Sequence, residues 1–121
     1  IMKITKTKDL LVNIIDFSLS YKKNDDTKEW KLKGHIGLIE YMAPEMYDYK
    51  IYDPRKIDIW VLGVLLWVMV IGKIPFKIPN RDQDISFKNI MDGKIEDVLK
   101  EQKRLRLITN DIISLLKQIF K

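Results

Sequence analysis

The sequence contains no cysteine and one histidine, His35, in 121 residues. The absence of thiols excludes disulfide frameworks, thiolate zinc sites and cysteine nucleophiles, and argues against a small secreted domain stapled by disulfides. An intracellular, cytoplasmic location is expected. His35 has no companion ligand in its neighbourhood and reads as an exposed loop residue rather than a base or metal ligand. No apolar run reaches the roughly 18 to 20 residues that a bilayer requires. The longest, Ile57 to Ile71, is interrupted by Asp58 and Gly63, so it reads as a buried helix of a soluble protein, with a membrane span as the alternative. Ile1 to Asp9 carries three lysines and no long apolar core, unlike a secretory signal. An excess of one charge is also lacking in any local sense. The formal net charge is +5, but the basic residues are spread from Lys3 to Lys121 among acids. Runs such as Lys100 to Arg106 read as solvated faces, and neither a nucleic-acid nor a membrane partner is expected.

What remains is a composition of 46% hydrophobic and 32% charged residues, which is that of one soluble globular domain. Ile1 to Ile4 and Leu10 to Ile15 are short β-prone runs around the polar Thr5 to Asp9, predicting a small hairpin that leads into Asp16. Phe17 to Gly37 is polar and without period, an extended loop. Glu45 to Tyr49 suits a short helix, and Asp53-Pro54 a turn with a helix starting just after it. The helix over about 57–71 is apolar on all sides and must be surrounded by other protein, a central pillar that ends at Gly72 with Pro75 behind it. Phe87 to Met91 predicts a further short helix closing at Gly93. Ile112, Ile113, Leu115, Leu116, Ile119 and Phe120 recur at helical spacing, with Thr109 or Asn110 as the cap.

Three local sequences carry chemistry. Asp16-Phe17-Ser18 follows the apolar run Val12-Asn13-Ile14-Ile15. Gly37-Leu38-Ile39-Glu40-Tyr41-Met42-Ala43-Pro44-Glu45 comes next, then Asp58-Ile59-Trp60-Val61-Leu62-Gly63-Val64 with Gly72-Lys73-Ile74-Pro75-Phe76. In this order they resemble the C-terminal lobe of eukaryotic-type serine/threonine protein kinases: the Asp-Phe-Gly motif, the end of the activation segment, and the central helix with its following loop. The resemblance implies a mainly α-helical partial lobe with a short N-terminal β-hairpin, cut from a two-lobed α+β parent. Asp16 would be the magnesium ligand that faces the ATP phosphates. Ser18, Gly37, Leu38, Tyr41 and Pro44 would belong to an activation segment over 16–45 and its substrate-side loop. Tyr41 favours the serine/threonine class. Glu45 would enter a buried ion pair with an arginine near the end of the lobe, and Asp58 would accept hydrogen bonds from the catalytic-loop backbone, with Trp60 and Gly63 structural beside it. An ionisable residue at the start of an apolar helix needs such donors. Lys31-Leu32-Lys33 and Tyr52-Asp53 look most like the calcium/calmodulin-dependent branch, although no EF-hand loop is present.

The glycine-rich loop, the paired lysine and the catalytic loop of that family are not found in this sequence. The family's base Asp is expected upstream of Ile1, so the chain alone is expected to be inactive and to hold neither ATP nor Mg2+ tightly. Its partners would be the remainder of the kinase domain and the protein substrate of the parent. Two departures support a second reading, a pseudokinase parent or non-catalytic binding module: Ser18 stands for the motif glycine, and Leu38 for a threonine whose hydroxyl contacts catalytic groups. Activation-loop phosphorylation has few acceptors, namely Ser20, Tyr21 and Thr27. Finally, the resemblance implies that a helix covering the central pillar is missing. Exposing four large side chains forfeits on the order of 6 to 12 kcal/mol at about 1.5 to 3 each, against a domain's margin of roughly 5 to 15 kcal/mol, so the isolated chain is expected to be unstable.

Overall fold

The computed structural model of the chain describes residues 2–4, 10–23, 29–105 and 108–121. The fold is mainly helical, as the sequence predicts. Strands β1 (Met2–Ile4) and β2 (Leu10–Val12) pair antiparallel, with Met2 opposite Val12 and Ile4 opposite Leu10, which is the expected hairpin. The connector Thr5 to Asp9, like Thr27 and Arg106, lies outside the described residues.

The described part of the polar stretch from Phe17 to Gly37 is not all loop. Leu32–Lys33 forms β3 and pairs antiparallel with β4 (Ile51–Tyr52), Leu32 opposite Tyr52 and Lys33 opposite Ile51. A two-residue ladder leaves no periodic trace in a sequence, so this pairing was not foreseen. It is reinforced where the Tyr52 hydroxyl donates to the Gly34 carbonyl at 3.2 Å. Between the two strands lie a short 3-10 turn at Ile39–Tyr41 and the single-turn helix α1 (Pro44–Tyr47).

Helix α2 (Pro54–Ile71) starts three residues before the predicted 57. Pro54 occupies the first helical position, where its missing N–H costs nothing. Asp53 caps it, the carboxylate accepting from the Arg55 backbone N–H at 3.0 Å. At the other end Gly72 takes φ 74 and donates its N–H to Val68 at 2.8 Å, a left-handed stop that a side chain would strain. Helices α3 (Ile85–Met91), α4 (Ile95–Glu101) and α5 (Asn110–Ile119) follow. The Thr109 hydroxyl caps α5 by accepting from the Ile112 N–H, settling the choice with Asn110. Helix α4 was not anticipated, although Ile95, Val98 and Leu99 lie one turn apart and are fully buried.

The core lies where α2 meets α5 and the α3–α4 pair. Trp60 sits at its centre, with ring centroids 4.9 Å from Phe120, 6.0 Å from Phe76 and 6.2 Å from Phe87. Gly63 lets α5 approach: a Cβ there would stand 2.4 Å from a methyl of Ile119 and 3.2 Å from the Phe120 ring. The pillar is covered on this side only. Leu62, Leu65 and Met69 are exposed, Met69 to 75%. They recur with Asp58 at i, i+4, i+7 and i+11, a single stripe along the helix.

Candidate functional site

Asp16 follows the β2 strand and adopts φ +64, in the left-handed region. Such a conformation is uncommon outside glycine, and Asp and Asn tolerate it best because their short polar side chains bond locally. Here the local bonds are made by Ser18. Its hydroxyl donates to Asp16 Oδ1 at 2.7 Å and its backbone N–H to the same oxygen at 3.3 Å. These bonds favour the ionised form and hold the Asp16 carboxyl below its usual pKa of 3.8, the hydroxyl contributing most and the backbone N–H next. One turn on, Ser20 closes the segment, its N–H and its hydroxyl both donating to the Phe17 carbonyl, at 3.1 and 2.6 Å. Asp16, Phe17 and Ser18 are all exposed.

The second cluster of candidate residues lies on the N-terminal half of α2. Gly37 takes φ +88, after which Leu38 opens the Ile39–Tyr41 turn by accepting from the Tyr41 N–H at 3.0 Å. Met42 and Ala43 are buried and pin the turn to the core, and Pro44 starts α1. Leu38 itself is 68% exposed. Between this turn and α2 lies a mostly apolar hollow of about 230 Å³ walled by Leu19, Leu32, Leu38, Tyr41 and Val61, with Asp58 beside them. Leu19 reaches it from the segment that carries Asp16, so the structure brings the two clusters to one side of the molecule.

The side chains of two residues read as structural, Asp58 and Glu45, have no hydrogen-bonded or ion-paired partner among the described residues. Asp58 is exposed, and its carboxylate accepts no hydrogen bond among the described residues. Donors for it are therefore not supplied by the described part of this chain. Glu45 is half-buried and forms no ion pair among the described residues. It borders a second hollow, of about 250 Å³, with Lys56, Ile59, Trp60, Ile119 and Lys121. The buried Trp60 Nε1–H also lacks a partner among the described residues.

His35 is exposed, as predicted, but has a structural contact that the sequence did not signal. Its Nε2 lies 3.0 Å from the Tyr47 carbonyl and its ring stacks on Tyr47 and meets Tyr49 edge-on. Trp30 is a second missed hub, with Tyr21 edge-on at 5.9 Å and Lys23 and Arg55 above its ring at 5.5 and 5.6 Å. Aromatic and cationic residues scattered over a polar stretch carry no period that would announce such a cluster. Among the described residues no group of three or more His, Cys, Asp or Glu side chains could hold a metal ion, and no helix is long and apolar enough to cross a membrane.

The family model for the protein kinase domain matches residues 1–121. The chain belongs to the protein kinase family. Serine/threonine-protein kinase ppk25 of Schizosaccharomyces pombe is 37% identical over 91 residues, which cover 70% of this chain and 19% of that kinase. Sperm motility kinase 2B of Mus musculus is 37% identical over 109 residues, 90% of this chain and 21% of the relative. The SIK3 homolog of Danio rerio, a serine/threonine-protein kinase, is 43% identical over 68 residues, 56% of this chain and 6% of the relative. This kinase chain thus spans about a fifth or less of the length of these relatives. The family uses ATP with Mg2+. Asp16 fits such an ion as one oxygen donor: it is ionised and exposed, and Oδ2 accepts no hydrogen bond among the described residues while Oδ1 accepts from Ser18. As a lone carboxylate it suits Mg2+, which takes one or two carboxylates and leaves its remaining positions to phosphate oxygens and water.

Proposed function

We propose that this chain is the activation-segment part of the C-terminal lobe of a serine/threonine protein kinase whose complete domain transfers the γ-phosphate of ATP to protein Ser and Thr hydroxyls. The observation that carries this reading is the placement of Asp16. It is an exposed, ionised carboxylate in a left-handed turn after β2, on the segment whose Leu19 lines the same hollow as Leu38 and Tyr41. In this reading residues 16–45 form the activation segment, Gly37 to Pro44 present the substrate-side loop, and Asp58, Trp60, Gly63 and Glu45 are scaffold. Mg2+, when bound, would supply the positive charge that offsets that of the ATP phosphates. Asp16 would contribute one charged oxygen to it, and the Gly37–Tyr41 turn, braced by buried Met42 and Ala43, would hold the peptide substrate's backbone in place.

The open stripe Asp58-Leu62-Leu65-Met69 and Glu45, which forms no ion pair among the described residues, support assigning the rest of the kinase domain as this chain's first partner. In the same reading the chain by itself is inactive, binds ATP and Mg2+ weakly, and works inside the cell. Its branch within the family, by the Lys31-Leu32-Lys33 and Tyr52-Asp53 likeness, is the calcium/calmodulin-dependent one. A second reading, a pseudokinase parent that serves as a protein-binding module, is favoured by Leu38, an exposed aliphatic side chain where the family has a hydroxyl.

The test is phosphate transfer from labelled ATP to a Ser/Thr peptide library by the complete kinase domain, wild type against Asp16→Ala. Transfer that depends on Asp16 supports the kinase reading. Absence of transfer from a folded domain that still binds protein partners supports the pseudokinase.

A further inference from the structure

Ser18 touches Asp16 twice, and both contacts fall on the same oxygen. The hydroxyl at 2.7 Å and the backbone N–H at 3.3 Å both engage Oδ1 and leave Oδ2 without a protein donor among the described residues. The backbone contact is open to any residue at position 18, but the shorter one requires a side-chain hydroxyl. The left-handed φ of Asp16 is held in part by this pair of bonds, because the turn between residues 16 and 18 closes through them.

A carboxylate with one oxygen so engaged can offer a cation only the other. This matters because the two common hard divalent ions differ in what they accept. Mg2+ takes a single oxygen from each carboxylate at close range, keeps several waters and demands near-octahedral geometry, whereas Ca2+ accepts more ligands and often binds both oxygens of one carboxylate. Groups that hydrogen-bond a ligating carboxylate orient it, and removing such partners typically lowers metal affinity by about 10- to 100-fold.

We propose that the Ser18 hydroxyl is a positioning residue for the metal: by occupying Oδ1 it makes Asp16 a one-oxygen ligand and so favours Mg2+ over Ca2+. The inference rests on the assignment of Asp16 as a metal ligand and adds to it a role for the residue that replaces the motif glycine. Ser18 does not touch the ion.

The experiment uses the complete kinase domain with a non-hydrolysable ATP analogue bound. Mn2+ binding is followed by water-proton relaxation, with Mg2+ and Ca2+ as competitors, in the wild type and in Ser18→Ala, Ser18→Thr and Asp16→Asn. Ser18→Ala is expected to weaken Mg2+ binding by about 10-fold and to weaken Ca2+ binding less, so that the preference for Mg2+ narrows. Ser18→Thr, which restores a hydroxyl, is expected to recover it. Equal affinities and an equal Mg2+ to Ca2+ ratio in wild type and Ser18→Ala overturn the proposal while leaving Asp16 as ligand, provided that Asp16→Asn lowers binding. A gain in Mg2+ affinity in Ser18→Ala also overturns it, by showing that the hydroxyl competes with the ion. If Asp16→Asn leaves Mn2+ binding unchanged, the metal assignment falls and the role of Ser18 with it.

Discussion

At the scale of single residues, two positions show how little room the structure leaves. Gly63 lies on α2 where α5 crosses, and the missing Cβ is what allows the Ile119 methyl to sit where it does. Gly63→Ala gains up to about 1 kcal/mol of helix propensity, but overpacking a close contact costs roughly 1 to 3 kcal/mol. A net loss on the order of 1 kcal/mol is expected, read as a lowered urea midpoint in the complete kinase domain. Asp84 is the other. Its Oδ1 caps α3 by accepting from the Phe87 N–H at 2.9 Å, while Oδ2 accepts from the N–H groups of Lys77 and Ile78 at 2.8 and 3.3 Å. One carboxylate thus organises both a helix start and the loop after Phe76. Asp84→Ala removes all three bonds, and the cap alone is worth about 0.5 to 2 kcal/mol. Asp84→Asn, which keeps an acceptor for the cap, is expected to lose less; equal losses in the same urea titration would show that the bonds to the Lys77 and Ile78 N–H groups carry the effect and the cap does not.

At the scale of elements, α4 and α5 are joined by an ion pair, Lys117 Nζ to Glu96 Oε1 at 2.6 Å. That hydrogen bond is the main reason the Glu96 carboxyl titrates below its usual 4.5. A carboxyl depressed in the folded state adds stability above its unfolded pKa and loses it as pH falls through the folded one. The contribution is therefore present at neutral pH and disappears in acid, below about pH 4.5. Because both side chains are partly exposed, solvent screening limits it to about 0 to 1 kcal/mol. Glu96→Gln is expected to lower the melting temperature slightly at neutral pH and not at all in strong acid or in high salt. How far these elements could be read beforehand depended on their length. The hairpin and α2 were legible as apolar runs of strand and helix length, and α5 because its apolar residues repeat at the helix period, with Gly72 and Thr109 marking ends by their own chemistry. The β3–β4 ladder and α4 were not: a two-residue strand has no period, and the three buried residues of α4 are hidden in a charged sequence. At the candidate site, Asp16 and the turn at Gly37 to Tyr41 were legible as motifs, whereas the pair of hydrogen bonds that Ser18 donates to one Asp16 oxygen is a matter of geometry that no spacing encodes.

At the scale of the whole molecule, the balance between covered and open faces of α2 decides how the chain behaves. Leu62, Leu65 and Met69 form one exposed stripe with Asp58, and contiguous apolar surface of this kind promotes association. The 121-residue chain made alone is expected to aggregate, and the double variant Leu65→Lys with Met69→Lys to elute more nearly as a monomer in size-exclusion chromatography. In the complete kinase domain the same double variant is expected to be destabilising, since burying a charge without a partner is unfavourable. A variant that improves both proteins would show that nothing covers the stripe. The ladder between Leu32–Lys33 and Ile51–Tyr52 has a mechanical consequence. It anchors the chain between Ser18 and the Leu38–Tyr41 turn, much nearer the turn, as a clamp takes the strain off a cable. Leu19 and Leu38 line the same hollow, so the Asp16 end and the turn stay coupled through its apolar walls even where the rungs block a pull along the backbone.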